Sequence, residues 1–228
     1  MGITVEIHED GCALLTMRNG ENRWNFTTLK QLNDALDEVE RNKSVRILVT
    51  TGEGKFYSNG IDLDFLVPLG RGSNEWQQFF TVLTDTMWRV MHFPIPTVAA
   101  INGHCFAGGA FLAVCHDYRV MRSDRGWISW NETLISSQIP KFLIEILERK
   151  LDANAIRESV IFAKRLTGPE AVDLKIVDGI ETEKNLISGS KKVGFGALGK
   201  NNIKRVDLQN MKQDMIPRTM SVNTKAKL

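Results

Sequence analysis

Residues 93–121 are FPIPTVAAINGHCFAGGAFLAVCHDYRVM, and this stretch decides the predicted fold. PTVAAI at 96–101 is an uninterrupted apolar run, typical of a strand that is covered on both faces. Gly103 begins a tight turn, and AGGAFLAVC at 107–115 is apolar on all sides, as expected of a buried helix. DYRVM then predicts another strand. Buried strands on either side of a buried helix indicate an α/β protein.

The same alternation continues on both sides of this stretch. A hairpin around Gly11 is expected near the start, and Thr27 or Thr28 is the expected N-cap of the helix that follows. The predicted strands are 3–7, 12–17, 45–51, WISW at 127–130 and a short one near Ile176, and the predicted helical segments are 62–92, broken near Pro68 and at 70–72, and 140–177. This order favours βαβ units with right-handed crossovers.

The composition changes after about residue 182. GSKKVGFGALGKNNIKR at 189–205 is rich in Gly and Lys and offers few core candidates. We therefore expect a core domain at 1–182 that contains the active site. A short C-terminal region at 183–228 is expected to form loosely packed helices or a mobile tail.

Composition and charge exclude several classes of protein. The chain has 228 residues, of which 43% are hydrophobic and 25% charged, so it can bury a core. A net charge of +2 gives no support for nucleic-acid binding. Three cysteines make no disulfide framework, which predicts a reducing compartment. The N-terminus lacks the features of a signal peptide, and no apolar run approaches the roughly 18 residues of a membrane span. We expect a soluble intracellular domain.

Familiar metal and nucleotide motifs are absent from the sequence. The four histidines are scattered, and there is no HExxH, CxxC, GxSxG or P-loop pattern. Cys105, Cys115 and His116 are conceivable metal ligands, but two of them flank the predicted buried helix, and packing explains the cysteines better than metal binding. No metal site is predicted.

Two segments expose backbone at glycines directly after buried strands. Residues 56–63 follow strand 45–51 in an expected Gly-rich loop, and residues 101–109 follow strand 96–101. Gly108 and Gly109 begin the buried helix, so free N–H groups point into a cleft at the positive end of its dipole. Two such groups from different loops can stabilise one oxyanion. For the glycines alone, tight turns and close helix packing are the commoner explanation.

Three stretches, taken in order, resemble the crotonase (enoyl-CoA hydratase/isomerase) family. They are ENRWNFTTLKQLNDALDEVERNKSVRILVTTGEGKFYSNGIDL, FPIPTVAAINGHCFAGGAFLAVCHDYRVMRSDRG and LTGPEAVDLKIVD. The resemblance covers residues 3–180. It implies an α/β spiral of ββα repeats with a helical C-terminal region, assembly as a homotrimer or a pair of trimers, and acyl-CoA thioester substrates. CoA is then part of the substrate, and no separate cofactor is expected.

The resemblance also implies the parts of the site. The N–H groups of Ile61 and Gly108 would form an oxyanion hole for the thioester carbonyl oxygen. The implied substrate-binding residues are Asn59, Gly60, Ile61, Asp62, Leu63 and Gly108. Arg23 and Lys55 are candidate neighbours of the CoA phosphates, although such residues are more often simply solvated surface charges.

The acidic residues distinguish between reactions of the family. Family hydratases use two glutamates, and Phe111 stands where the first is expected, while Glu132 stands at the second position. Phenylalanine can neither orient water nor transfer a proton, so a hydratase is disfavoured. One carboxylate beside an oxyanion hole suits the 1,3 proton shift of a Δ3,Δ2-enoyl-CoA isomerase. SNGIDL, NETL and HDYRVMRSDRG resemble the plant peroxisomal branch of these isomerases.

Glu132 has a structural alternative, as an acid in the first turn of a helix capped by Asn131. Its neighbours Trp127, Ile128 and Trp130 are apolar, so we expect its pKa to be raised. Within the family pattern, a catalytic role is the stronger interpretation.

The sequence ends in Ala226, Lys227 and Leu228, which resemble a peroxisomal import signal. We therefore expect a peroxisomal enzyme that binds an import receptor and acts in β-oxidation of unsaturated fatty acids. An ordinary basic tail is the alternative for these residues. Two functional alternatives also remain: a catalytically silent acyl-CoA-binding paralogue, or another crotonase-type enzyme that hydrolyses or decarboxylates a CoA thioester.

Overall fold

The computed structural model describes residues 2–218 and contains two sheets. The larger sheet has the strand order β1-β2-β3-β5-β7-β9. Its strands are β1 (Ile3–Ile7), β2 (Cys12–Met17), β3 (Ile47–Gly52), β5 (Thr97–Ile101), β7 (Tyr118–Arg122) and β9 (Gly179–Glu181). β1 and β2 form the predicted antiparallel hairpin, and every other pair in this sheet is parallel.

A smaller parallel sheet has the order β4-β6-β8. Its strands are β4 (Phe56–Ser58), β6 (His104–Phe106) and β8 (Ile128–Ser129). The expected loop at 52–62 therefore contains a strand, β4, which pairs with β6. The sequence did not predict this strand because three residues are too few to show a period. Along the chain β3-β4, β5-β6 and β7-β8 are each followed by a helix. This confirms the predicted spiral of ββα repeats.

The helices follow the predicted segments with some corrections. They are α1 (Phe26–Arg41), α2 (Leu63–Leu66), α3 (Asn74–Met91), α4 (Gly108–Cys115), α5 (Lys141–Lys150), α6 (Ala153–Ile156), α7 (Gly168–Asp173), α8 (Leu186–Leu198) and α9 (Arg205–Met215). The expected break near Pro68 is a 3-10 turn, Val67–Leu69. The short strand expected near Ile176 lies further along the chain, as β9. Ile176 itself packs in the core before that strand.

Helix α1 begins earlier than predicted. Its N-cap is Asn25, not Thr27 or Thr28, because the Asn25 side chain accepts from the Thr28 amide. The Thr28 hydroxyl in return accepts from the Asn25 amide at 2.8 Å. This reciprocal capping box uses Thr28 at the third helical position.

The large sheet has a separate core on each face. The larger core contains α4, whose eight residues are all buried. The smaller core lies between the sheet and α8, where a Cβ on Gly194 would lie 3.0 Å from Ile47 Cδ1 and 3.2 Å from Val98 Cγ2. Helix α8 therefore packs closely although its sequence is rich in Gly and Lys.

Helix α9 attaches by polar contacts, and none of its residues is buried. Arg205 donates to the backbone carbonyls of Glu40, Asn42 and Val45, and Lys212 donates to those of Phe93 and Ile95. Within residues 2–218, no helix is long and apolar enough to cross a membrane.

Candidate active site

The three principal candidate groups lie beyond the carboxyl ends of the three strands of the small sheet. Ile61 follows β4, Gly108 follows β6 and Glu132 follows β8. The strands are parallel and paired in register at Ser58↔Cys105 and Phe106↔Ser129, so these ends lie at one edge. The structure thus brings together residues that are far apart in the sequence.

The amide nitrogens of Ile61 and Gly108 are close neighbours. A Cβ on Gly60 would lie 2.8 Å from the nitrogen of Gly108, and a Cβ on Gly108 would lie 3.4 Å from that of Ile61. Trp24 N donates to Gly60 O, and Asp62 N donates to Trp24 O. These two bonds hold the backbone on both sides of Ile61 and leave its N–H unused by Trp24. The geometry fits two donors that converge on one oxygen.

Helix α4 is packed tightly against β4 at its N-terminus. Ala107, its N-cap, has φ 48°, and Ala107 N donates to Ser129 O at 3.0 Å. A Cβ on Gly109 would lie only 2.4 Å from Ser58 O, so this position requires glycine. The first-turn amides lie at the positive end of the helix dipole, which favours an anion.

Glu132 begins a 3-10 turn, Glu132–Ile135, and its side chain is partly buried. Its Oε2 atom is buried and has no hydrogen-bond partner among the described residues. Burial raises its pKa to about 7, as the sequence led us to expect. Asn131 makes no side-chain capping bond, which weakens the structural explanation for this acid. A carboxyl with a pKa near neutrality can both accept and return a proton.

Phe111 and Trp130 fill the interior beside this edge. Both are almost fully buried, and their rings meet edge to face with centroids 6.1 Å apart. Of the three apolar neighbours predicted for Glu132, Ile128 and Trp130 are fully buried, whereas Trp127 is 40% exposed. Phe111, which stands where family hydratases have their other glutamate, is therefore part of the packed core.

A polar pocket of about 540 Å³ adjoins the loop that carries Ile61. It is lined by Asn19, Glu21, Arg23, Asn25, Thr27, Thr28, Gln31 and Asp62. Of the other predicted substrate-binding residues, Asn59 donates to Glu21 at 2.8 Å and Leu63 is 47% exposed. Asp62 is the N-cap residue of α2, and its side chain makes no capping bond but accepts from Asn25 at 3.2 Å.

The two candidate phosphate neighbours differ in availability. Arg23 lies 2.7 Å from a Glu21 carboxylate oxygen and 3.3 Å from one of Asp64, so its charge is already compensated. Lys55 lies over the Phe56 ring at 5.6 Å and, within the described part of the chain, forms no ion pair. Lys55 is the more available cation.

Sequence reasoning missed two residues that hold this edge in place. Asn22, at φ 51°, donates to the backbone carbonyls of Phe56 and Tyr57, and its own carbonyl accepts from Ser58. Trp24 is almost fully buried, and its Cδ1 would lie 3.1 Å from a Cβ on Gly108. A large aromatic residue and an asparagine inside a short loop were the available signals.

Comparisons with known proteins point in the same direction. The family model described as enoyl-CoA hydratase/isomerase matches residues 8–212. The chain is 32% identical over 199 residues to the peroxisomal enoyl-CoA delta isomerase 2 of Arabidopsis thaliana, covering 84% of this chain and 82% of the relative. It is 34% identical over 147 residues to a putative enoyl-CoA hydratase of Thermus thermophilus, covering 64% and 57%. The structure of a Mycobacterium tuberculosis enoyl-CoA isomerase without ligand superposes with a TM-score of 0.82 at 27% identity, covering 93% of this chain and 90% of that one.

Proposed function

The chain belongs to the enoyl-CoA hydratase/isomerase family, and from this premise we propose that it is a Δ3,Δ2-enoyl-CoA isomerase for fatty acyl-CoA esters. Its relatives make it an enzyme of the enoyl-CoA isomerase or hydratase type. The choice of isomerisation rests on one observation: the Oε2 atom of Glu132 is buried without a hydrogen-bond partner among the described residues, while Phe111 occupies the position of the other family glutamate.

The proposed reaction moves one proton and one double bond. The thioester carbonyl oxygen accepts hydrogen bonds from the N–H groups of Ile61 and Gly108. The Glu132 carboxylate removes a proton from C2, and the electron pair delocalises into a dienolate that these donors stabilise. The Glu132 carboxylic acid then returns the proton to C4, which leaves the double bond between C2 and C3. No atom is gained or lost, and no cofactor is needed.

Hydration is disfavoured because water must be both oriented and split. In the family this takes two carboxylates, and a second one at Phe111 would have to be buried against Trp130. A single group with a pKa of about 7 is sufficient for a proton shift.

We propose that the CoA moiety binds along residues 59–63, with Lys55 near the phosphates. Lys55 is preferred to Arg23 because it has no carboxylate partner among the described residues. An exposed lysine can pair with a phosphate at little desolvation cost.

The test is conversion of 3-hexenoyl-CoA by the purified protein, followed at the enoyl-thioester absorbance band. A coupled hydratase–dehydrogenase assay identifies the 2-enoyl product. We expect rapid conjugation by the wild type and by Glu148→Gln, an exposed acid on α5. Glu132→Gln should fold and bind acyl-CoA but lose at least about 100-fold in kcat. Turnover of Glu132→Gln at the wild-type rate would remove Glu132 from the mechanism, and binding without turnover by the wild type would support a silent paralogue.

We further propose a peroxisomal location and a homotrimer. The location is supported by the Arabidopsis relative, which is named as peroxisomal, and by the resemblance of residues 226–228 to an import signal, although these lie outside the described residues. A fluorescent protein fused before residue 1 should enter peroxisomes and remain outside when residues 226–228 are removed. Light scattering should give a mass of three 25.7 kDa chains.

A further inference from the structure

A buried hydrogen-bond chain joins three residues that the proposed mechanism does not use. The Tyr57 hydroxyl lies 2.9 Å from Thr50 Oγ1, which lies 2.9 Å from His116 Nε2. Tyr57 and His116 have no exposed surface, and Thr50 is 2% exposed. We call these three residues the relay.

The direction of every bond in the relay is fixed. His116 Nδ1 lies 2.8 Å from the Leu112 carbonyl oxygen, which can only accept, so Nδ1 carries the proton and Nε2 is an acceptor. Thr50 therefore donates to His116, and Tyr57 donates to Thr50. Burial lowers the pKa of His116 to about 4 and raises the pKa of Tyr57, so both are neutral at pH 7.

The relay connects the two elements that carry the oxyanion donors. Tyr57 lies on β4, which leads through Gly60 to Ile61. His116 is the C-cap of α4, and Gly108 is the first residue of that helix. The His116 carbonyl also accepts from Arg119 and Lys150, each at 3.2 Å. These two bonds hold the same end of α4 as the relay does.

The position of α4 along its axis determines where the Gly108 amide lies. Eight helical residues form a rod of about 12 Å, so a shift at one end appears at the other. At the first end, Gly109 packs on Ser58 without room for a Cβ. The relay constrains the opposite end, and hydrogen bonds impose direction as well as distance.

We propose that the relay positions α4 against β4 and thereby sets the spacing of the two oxyanion donors. Tyr57, Thr50 and His116 are positioning residues, because none contacts the reacting atoms. This inference rests on the proposed function, since it assigns a cause to the geometry of the same oxyanion hole.

The test compares two identical substitutions on adjacent residues of β3. Thr50→Val removes the centre of the relay, whereas Thr51→Val removes a different buried bond, from Thr51 Oγ1 to Ala100 O at 2.9 Å. Both threonines are buried, so each variant exchanges one buried hydroxyl for a methyl group of similar size. Thr50→Val breaks the two bonds of the relay, and Thr51→Val breaks one. Only Thr50 is linked to α4, through its bond to His116.

Two readouts separate positioning from stability. We expect Thr50→Val to lower kcat about 10-fold or more with little change in KM, because a misplaced donor affects the dienolate more than the ground state. The carbonyl stretch of bound trans-2-hexenoyl-CoA, measured by Raman difference spectroscopy, should shift less from its solution value than in the wild type. Thr51→Val should match the wild type in both readouts.

Several results would overturn the inference. A Thr50→Val enzyme with wild-type kcat and carbonyl shift would show that the relay positions nothing of consequence. Equal losses in both variants would reduce its role to general stability. If Thr50→Val does not fold, Tyr57→Phe removes the first donor alone, and an unchanged carbonyl shift in that variant would be equally decisive. A wild type that binds the ester without any carbonyl shift would overturn the proposed oxyanion hole, and the relay with it.

Discussion

At the scale of single residues, the burial that raises the pKa of Glu132 also destabilises the folded chain. Between pH 4.5 and about 7, the unfolded chain releases the proton that the folded chain retains. The stability contributed by the neutral acid is fully present below pH 4.5. As the pH rises to 7, the free energy of unfolding falls by about 3 kcal/mol. We expect Glu132→Gln to unfold at a higher temperature than the wild type at pH 8, and at nearly the same temperature at pH 4.5.

Thermal unfolding at these two pH values checks this expectation. Glu148→Gln is the control, because it makes the same substitution at an exposed acid outside the candidate site. A difference for Glu132→Gln that is equal at both pH values would assign the effect to packing instead of ionisation.

The pKa of Glu132 also predicts the pH dependence of the rate. In the proposed mechanism only the Glu132 carboxylate removes the C2 proton, so kcat/KM should fall about tenfold per pH unit below pH 7. At pH 5 it should be about 100-fold below its plateau. Initial rates with 3-hexenoyl-CoA between pH 5 and 9 measure this profile. A rate that stays constant down to pH 5 would contradict the assignment.

At the scale of elements, the contact between α4 and β4 leaves no room for a side chain at Gly109. A Cβ there meets Ser58 O at 2.4 Å and Ser58 Cβ at 2.7 Å, and neither can move without moving β4. We expect Gly109→Ala to lose about 2 kcal/mol or more in the free energy of unfolding, and activity with it. Gly196 lies on α8, where a Cβ would meet no atom of the described residues within 4 Å. We expect Gly196→Ala to raise the free energy of unfolding by about 0.5–1 kcal/mol. Urea denaturation compares the two variants, and equal effects would contradict the packing argument.

The elements also show what local sequence can predict. Strands β1 and β2 were found from short alternating runs, and helix α4 from a stretch that is apolar on all sides, as its complete burial requires. Strand β4 was missed because three residues carry no period, and only its pairing with β6 defines it. The N-cap of α1 was predicted too late in the chain, because Thr28 is the partner of Asn25 in the capping box and not the cap itself. Ile61 and Gly108 were implied by family resemblance, whereas their closeness depends on long-range packing.

At the scale of the whole molecule, the second core joins the sheet to α8 across residue 182. Ile47 and Val98 pack against Gly194 on this face, and Leu186 and Leu198 complete it. We expect a chain that ends at residue 182 to be insoluble, because it exposes that apolar face of the sheet. A chain that ends at residue 218 keeps α9 and also α8, which covers that face, and should remain soluble. Expression and differential scanning calorimetry test this, and a soluble, folded 1–182 chain would contradict it.

The two proposed oxyanion donors, the N–H groups of Ile61 and Gly108, belong to the main chain, whereas proton transfer is assigned to one side chain. Every residue except proline supplies an N–H, so the ability to polarise a thioester survives most substitutions at Ile61, provided that the backbone keeps its course. In the proposed mechanism, the proton-transfer step depends on a single codon, that of Glu132. A lineage with this architecture can therefore lose or exchange its reaction by one substitution while it retains its hold on acyl-CoA esters. Gene copies that bind and no longer catalyse are an expected evolutionary product of such a site.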